Sequence, residues 1–127
     1  MVLASRYYES CNNILIFNHV ITLGYGFLEK VYEKAMMIEF RKANVPAVSQ
    51  DPIKVLYEDE IIGEYFADIL VDRKVIVEIK ATKNLIIDHE AQLLNYLKAT
   101  DIEVGLLLNF GAISEILKNQ NAGKSSI

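Results

Sequence analysis

Residues 66–80 form two apolar runs joined by a short charged turn. Runs of β-branched and aromatic residues on either side of a polar turn predict a β-hairpin, and side chains along a strand alternate between its two faces. One face of this hairpin carries only apolar residues: Ala67, Ile69, Val71, Val75, Val77 and Ile79. The other face carries a mixed set: Phe66, Asp68, Leu70, Ile76, Glu78 and Lys80. The pattern therefore places three charged side chains on one face of an otherwise apolar hairpin.

Upstream of the hairpin, the pattern predicts two helices and a strand. Residues 3–22 mix apolar and polar positions in a loosely helical way, and a clearer helical periodicity covers residues 27–43. Residues 53–57 predict a short strand, and residues 58–60 a turn. The next strand begins at Ile61 and continues into the hairpin.

Downstream of the hairpin, the pattern predicts a helix and one more strand. Asp88 is expected to be the N-cap of a helix over residues 89–98. Residues 102–109 predict an apolar strand of the kind found inside parallel sheets, and residues 113–118 predict one or two further helical turns. Residues 119–127 have the composition of a flexible tail.

The order of elements is helix, helix, three antiparallel strands, helix, strand. Because the last strand follows a helical crossover, we expect it to lie parallel to one strand of the antiparallel set. The predicted fold class is α/β, with a small mixed sheet flanked by helices. A chain of 127 residues is long enough for one core, so we expect a single domain over residues 1–118.

Composition limits the classes of protein to consider. Hydrophobic residues make up 52% of the chain, yet no apolar run approaches the roughly 18 residues of a membrane span. Cys11 is the only cysteine and the N-terminus lacks a secretory pattern, which favours a cytoplasmic protein without disulfides or cysteine-bound zinc. The net charge of −4 argues against a sequence-independent nucleic-acid binder. A bound divalent cation and a local cluster of lysines would offset that objection.

The charged face of the hairpin carries the candidate chemistry. If the turn is centred on Arg73, Asp68 lies opposite Glu78, and like charges across an antiparallel pair are destabilising. A divalent cation between them is the simplest reason for such a pair, and Mg²⁺ is commonly held by one or two carboxylates. The nearby Lys80 ammonium can stabilise charge that develops on a phosphate or help to position an attacking water.

Simpler interpretations of these residues stay open. Asp68 and Glu78 could form ordinary salt bridges with Lys80 or Arg73. Other chemistries have less support, because the chain contains neither a phosphate-binding G-x-x-x-x-G-K-[ST] loop nor a G-x-G-x-x-G turn after a strand.

The order of these elements resembles the PD-(D/E)XK nuclease superfamily, with an Asp on the second strand and Glu-x-Lys on the third. Ala67 stands where the motif has proline. Gly26, Glu29 and Tyr32 form G-x-x-E-x-x-Y, which is similar to the GxxExxY proteins within that superfamily. Further matching segments are residues 50–52, 67–68, 77–81, 89–97 and 106–111.

The resemblance implies roles for individual residues. Asp68 and Glu78 would bind Mg²⁺ or Mn²⁺ together with the backbone carbonyl of Ile79, and Lys80 would face the scissile phosphate. Glu29 would complete the metal shell, directly or through water. The remaining residues implied by the resemblance lie on the helix after the hairpin: His89, Gln92 and Tyr96. Gln92 would act beside Lys80, while Tyr96 and His89 would contact the substrate.

The function implied by this resemblance is hydrolysis of phosphodiester bonds, with DNA as the expected partner. A non-catalytic scaffold that binds a nucleic acid or a protein is the second hypothesis, and a structural oligomerisation domain is the third. The sequence also leaves a homodimer open.

Overall fold

Five strands form one mixed sheet in the order β1-β2-β3-β4-β5. The computed structural model describes residues 13–120. Neighbouring strands are antiparallel except β3 and β4, which are parallel. This confirms the prediction that the strand after the helical crossover lies parallel to one strand of the antiparallel set. The strands are β1 (Ala47–Tyr57), β2 (Glu60–Val71), β3 (Val75–Lys80), β4 (Val104–Asn109) and β5 (Glu115–Gln120).

Three α-helices in the described residues cover the two faces of the sheet. They are α1 (Asn13–Val20), α2 (Glu29–Lys42) and α3 (Ile87–Lys98). A 3₁₀ turn (Ile21–Leu23) follows α1. No helix in residues 13–120 combines the length and apolar character that a membrane crossing requires.

The core has two layers, one on each side of the sheet. The first packs α1 and α2 against one face and includes Phe17, Tyr32 and Met36. The second packs α3 against the other face and includes Leu93 and Leu97. β4 is buried along its whole length, as expected for a strand covered on both faces.

The β2–β3 hairpin has the predicted register. Val71 pairs with Val75 and Ile69 with Val77, so the turn is centred on Arg73. The turn contains two consecutive residues with positive φ (Asp72 and Arg73), the backbone that tight hairpin turns require. This register places Asp68 and Glu78 at opposing positions. The six residues of the predicted apolar face are all buried. Five of them pack in the first core layer, whereas Ala67 was expected on the same face but packs in the second.

Several element boundaries differ from the predictions. Residues 113–118 were expected to be helical, but β5 occupies Glu115–Gln120 because the free edge of β4 offers a complete row of backbone partners. Residues 119 and 120 therefore belong to a strand, and residues 121–127 lie outside the described part of the chain, as do residues 3–12 of the first predicted helix. β1 begins at Ala47, six residues before the predicted strand.

The start of α3 also differs from the prediction. Ile86, and not Asp88, occupies the N-cap position. The backbone N–H of Ile86 donates to Nδ1 of His89 at 3.1 Å, and the N–H of His89 donates to the Ile86 carbonyl at 3.0 Å. The imidazole therefore accepts the N–H of the N-cap residue itself, and no side chain at the N-cap accepts the first-turn N–H groups that an Asp was expected to bind.

Candidate metal and phosphate site

Asp68 and Glu78 lie where β2 and β3 separate. The paired ladder between the strands ends at Ile69 and Val77. Beyond it, the backbone N–H of Asp68 donates to Oε2 of Glu78 at 2.9 Å, and the N–H of Ile79 donates to Oδ2 of Asp68 at 2.7 Å. Each carboxylate thus replaces a missing ladder bond on the opposite strand, which fixes both groups on rigid backbone.

One oxygen of each carboxylate stays available after these bonds are made. Within the described part of the chain, Oδ1 of Asp68 accepts only a long bond, at 3.5 Å from Nε2 of Gln50. Oε1 of Glu78 has no hydrogen-bond partner among residues 13–120. The two strands therefore present two acceptor oxygens from side chains that are already oriented.

The environment of the pair disfavours two negative charges. Glu78 is 5% exposed, and its burial, followed by the charge of Asp68, raises its pKa from 4.5 to about 8. Burial is also the main cause that raises the pKa of Asp68, with the charge of Glu33 adding to it. Protonation of one carboxyl or binding of a cation removes the repulsion between the two carboxylates.

Glu33 is a third acidic residue that belongs to this site. It lies on α2, is 5% exposed, and raises the pKa of both Asp68 and Glu78 through its charge. Lys30 donates to its Oε2 at 3.2 Å, and Nε2 of Gln50 donates to its Oε1 at 2.9 Å. Glu33, Asp68 and Glu78 are called the acidic cluster below.

Gln50 joins two members of the acidic cluster. Its side-chain amide reaches Glu33 at 2.9 Å and Asp68 at 3.5 Å. Its φ of +56° lies in the left-handed region. Residues other than glycine rarely adopt this conformation, and it is rarer still inside a strand. The neighbouring pairs Ser49–Ile69 and Asp51–Ala67 flank this interruption of the β1–β2 ladder. Backbone strain of this kind tends to occur at functional sites, where the surrounding structure holds it in place.

Lys80 and two residues of α3 form a hydrogen-bonded chain next to the acidic cluster. Nζ of Lys80 donates to Oε1 of Gln92 at 3.3 Å, and Nε2 of Gln92 donates to the hydroxyl of Tyr96 at 3.0 Å. The positive charge of Lys80 lowers the pKa of both Asp68 and Glu78, which shows that it lies near both. The structure thus brings together the lysine, glutamine and tyrosine of the predicted site.

The G-x-x-E-x-x-Y segment builds the start of α2. Gly26 has a φ of +110°, a conformation that side chains rarely adopt. The buried Tyr32 donates to the Gly24 carbonyl at 2.6 Å and accepts from the N–H of Phe27 at 3.2 Å, so it ties the loop to the helix. Glu29 is exposed and its Oε2 accepts from the N–H of Ala81 at 3.3 Å. The segment therefore holds the first turn of α2 against the end of β3.

Asn109 anchors the end of β3 from the other side. Its fully buried side chain accepts from the N–H groups of Thr82 and Gly111, and donates to the Thr82 carbonyl and to Glu115, each at 3.0 Å. A Cβ at position 111 would lie 1.8 Å from the Thr82 carbonyl oxygen, so only glycine fits there. These bonds fix the backbone immediately after Lys80.

His89 stands apart from the other predicted site residues. Its Nδ1 accepts from the Ile86 N–H, so the neutral imidazole carries its proton on Nε2. Among the described residues it has no bond to the acidic cluster or to Lys80. The structure assigns its imidazole a capping contact at the start of α3.

The donor set fits a hard divalent cation. The available atoms are carboxylate oxygens, the ligands that Mg²⁺ and Mn²⁺ favour. Burial and the like charge of Asp68 disfavour ionisation of Glu78 when no cation is bound, so a cation would stabilise the ionised pair. No three His, Cys, Asp or Glu side chains within residues 13–120 converge as a ready-made metal centre. The site therefore offers a cation two carboxylates, as is usual for Mg²⁺ ions that keep several waters.

The simpler salt-bridge interpretation does not describe this site. The ion pairs formed by the described residues involve Glu39, Glu33 and Asp72, and neither Asp68 nor Glu78 takes part in one. Lys80 bonds to Gln92 instead of to a carboxylate.

Comparison with known proteins places this site in a family. A family model of the PD-(D/E)XK nuclease superfamily matches residues 9–120, so the chain belongs to that superfamily. The crystal structure of SSO0001 aligns with a TM-score of 0.56 and 17% sequence identity, over 72% of this chain and 50% of that one. At that identity the similarity shows the fold alone, and the chain spans half the length of SSO0001. No curated protein matches the sequence at a significant level. The predicted fold class and superfamily are confirmed.

Two residues of the site were missed in the sequence. Glu33 lies four positions after Glu29 and hence on the same side of α2, so the spacing alone could have identified it as a second candidate. Gln50 lies in a segment that carries the family resemblance, but nothing in its type or spacing predicts a left-handed backbone.

Proposed function

We propose that this protein is a divalent-cation-dependent nuclease that hydrolyses phosphodiester bonds, with DNA as its substrate. Within the superfamily, we propose that it belongs to the GxxExxY proteins, because Gly26, Glu29 and Tyr32 match their motif. The contacts of Tyr32 with the glycine loop and of Glu29 with the backbone of Ala81 support this assignment. The observation that carries the function is the pair formed by the half-buried Asp68 and the buried Glu78, each fixed to the opposite strand and each keeping one oxygen available beside Lys80.

Asp68 and Glu78 would hold the cation, with the Ile79 carbonyl as the third protein ligand. When bound, Mg²⁺ or Mn²⁺ polarises the phosphate and lowers the pKa of water. Superfamily membership supports a divalent metal in general, and the carboxylate donors support these two ions in particular. Binding requires both carboxylates to be ionised, so the proton that burial keeps on Glu78 near neutral pH has to leave.

Lys80 would stabilise the charge that builds up on the phosphate during attack by water. Hydrolysis joins the water oxygen to phosphorus and breaks the bond to the leaving oxygen, which takes up a proton. An ammonium group aimed at the developing charge stabilises the transition state more than the ground state. Gln92 and Tyr96 act as the support that limits where the Lys80 ammonium can lie.

The remaining residues act through their neighbours. Gln50 holds Glu33 and Asp68 in a fixed relation, and Glu33 adds negative charge that favours a cation at the acidic cluster. Glu29 contacts the backbone of Ala81, next to Lys80, where it positions the end of β3. A direct or water-mediated metal contact from Glu29 and substrate contacts from Tyr96 and His89 stay predictions, as do the homodimer and the cytoplasmic location.

Calorimetric titration with Mg²⁺ and Mn²⁺ tests the proposal at the level of binding. Wild type should bind one cation in the presence of a DNA oligonucleotide, and Asp68→Asn/Glu78→Gln should bind none. Asp59→Asn/Glu64→Gln is the matched control, because both of its positions are exposed on the β1–β2 hairpin and carry the same change of charge. Equal binding by both double variants would show that the cation lies elsewhere. No binding by wild type at millimolar concentration would leave the non-catalytic scaffold as the better account.

A further inference from the structure

A groove lies beside the candidate site, between the β1–β2 hairpin and α3. Its volume is about 830 Å³, which falls within the range of roughly 300–1,000 Å³ typical of ligand pockets. Gln92 and Tyr96 line it and also belong to the hydrogen-bonded chain that ends at Lys80. Through these two side chains the groove adjoins Lys80, the residue that would face the scissile phosphate. The other lining residues used below are Lys54, Leu56, Ile62, Gly63, Tyr65, Asp88 and Lys98.

We propose that this groove binds an unpaired nucleotide of the substrate strand, next to the phosphate that is cleaved. The proposal rests on the nuclease function proposed above, because it specifies the form of nucleic acid that the same site accepts: single strands and frayed or unpaired ends. A continuous duplex would keep its bases stacked and out of the groove.

Two tyrosines give the groove a surface on which a base can stack. The rings of Tyr65 and Tyr96 contact each other, with centroids 5.7 Å apart. Tyr96 is 6% exposed whereas Tyr65 is 48% exposed, so Tyr65 is the ring that a ligand can cover. Base stacking on aromatic side chains is a general way of binding single strands, because every base has a π-face.

A glycine keeps this tyrosine uncovered. Gly63 lies two residues before Tyr65 and hence on the same face of β2. A Cβ at position 63 would lie 3.4 Å from Cε2 of Tyr65, an ordinary contact distance. Steric crowding does not require glycine there, and any larger side chain would fill space beside the ring. Glycine inside a strand otherwise weakens it, which is consistent with a groove that must stay open.

The charges and apolar walls of the groove suit a nucleotide. Two exposed lysines (Lys54 and Lys98) line it, against one acidic side chain (Asp88), although the chain as a whole has a net charge of −4. Leu56 and Ile62 add exposed apolar surface, at 59% and 65%. Lysines beside an aromatic surface are the combination that binds a phosphate backbone together with its bases.

Fluorescence of 2-aminopurine in a short single-stranded DNA tests the proposal without cleavage. Measured on the full chain with Ca²⁺ or EDTA, binding of wild type should quench the probe through stacking. Tyr65→Ala should weaken binding about 5- to 100-fold, and Gly63→Val should weaken it similarly by filling the groove. Valine favours strands, so Gly63→Val keeps the test valid if Tyr65→Ala does not fold.

The lysines provide an electrostatic test with a matched control. Lys54→Gln and Lys98→Gln should each reduce the salt dependence of single-strand binding by about 0.7 in log–log slope. Lys34→Gln removes the same charge from an exposed position of α2, on the opposite face of the sheet, and should leave the slope unchanged. A poly-uridine RNA of equal length, compared with its DNA counterpart, shows which kind of strand the groove prefers.

The outcomes separate the groove from the nuclease function. If wild type cleaves DNA while Tyr65→Ala and Gly63→Val bind and cleave single strands like wild type, the groove proposal is wrong and the nuclease function stands. If quenching occurs and is lost in both variants but no substrate is cut, the groove stands and the nuclease function is wrong. If single strands do not bind and Gly63→Val converts a wild-type dimer to a monomer in sedimentation, the groove is a self-association surface and the proposal is overturned.

Discussion

Replacing Glu78 with glutamine should change how the stability of the metal-free protein depends on pH. The carboxyl has a pKa of about 8 in the folded protein, against 4.5 as its ordinary value. Because the folded state keeps a proton that the unfolded state has lost, this group contributes stability that is fully present below pH 4.5 and declines as the pH rises to about 8. Glutamine resembles the protonated carboxyl and has no such dependence.

The expected size follows from the same two values. One pKa unit corresponds to about 1.4 kcal/mol. Between pH 5 and pH 7, wild type should therefore lose about 3 kcal/mol of unfolding free energy relative to Glu78→Gln. The amide can still accept the bond from the Asp68 N–H. The NH₂ group of the glutamine changes the unfolding free energy by an amount that does not depend on pH. The slope of the unfolding free energy against pH is therefore the quantity that tests the prediction.

Urea denaturation in EDTA at several pH values from 5 to 8 measures this slope. Glu64→Gln is the control, since it makes the same change at an exposed position of β2 and should follow wild type within about 0.5 kcal/mol. Parallel curves for wild type and Glu78→Gln would refute the reasoning, because they would mean that the folded protein ionises Glu78 in the ordinary range.

Three further predictions follow from the contacts around the site. Asn109→Ala should lower the unfolding free energy by about 2–4 kcal/mol in urea denaturation, because it leaves both backbone groups of Thr82 without their partner. Tyr32→Phe should lower the unfolding free energy by about 1–2 kcal/mol, because its hydroxyl bonds to the Gly24 carbonyl and the Phe27 N–H are lost. A smaller decrease would contradict the view that Tyr32 ties the loop to the helix. Gln50→Gly should lower the unfolding free energy by only about 1–2 kcal/mol, because Glu33 loses a hydrogen bond while glycine accepts the positive φ. It should also weaken Mn²⁺ binding in calorimetry, and unchanged binding would show that the amide does not position the carboxylates.

The hairpin was the most predictable part of the molecule. Its register follows from the position of the charged residues, because Asp68, Glu78 and Lys80 all fall on one face and a shift of one strand by one residue would turn a charged side chain into the wholly apolar face. The order of elements and the parallel β4 followed from the same kind of pattern. β5 could not be found this way, since Glu115–Gln120 does not alternate and forms a strand only through the free edge of β4.

The site was predictable where the strands define it and less so where other elements approach it. Asp68, Glu78 and Lys80 follow from hairpin register, whereas Gln92 and Tyr96 were indicated by the family resemblance. Which turn of α2 reaches the sheet depends on how the helix packs, so the sequence indicated Glu29 and missed the buried Glu33. The left-handed backbone of Gln50 is likewise a tertiary property.

Metal-dependent cleavage of a labelled DNA oligonucleotide tests the central claim most directly. Wild type should cut both single strands and frayed duplexes with Mg²⁺ or Mn²⁺ and should stop in EDTA. Asp68→Asn should abolish cleavage, and Lys80→Met should lower kcat about 100-fold or more. Asp59→Asn, the same change in the exposed β1–β2 turn, should cut like wild type. Cleavage by Asp68→Asn at the wild-type rate would contradict the account, as would a wild-type protein that binds the metal and the strand but cuts neither substrate.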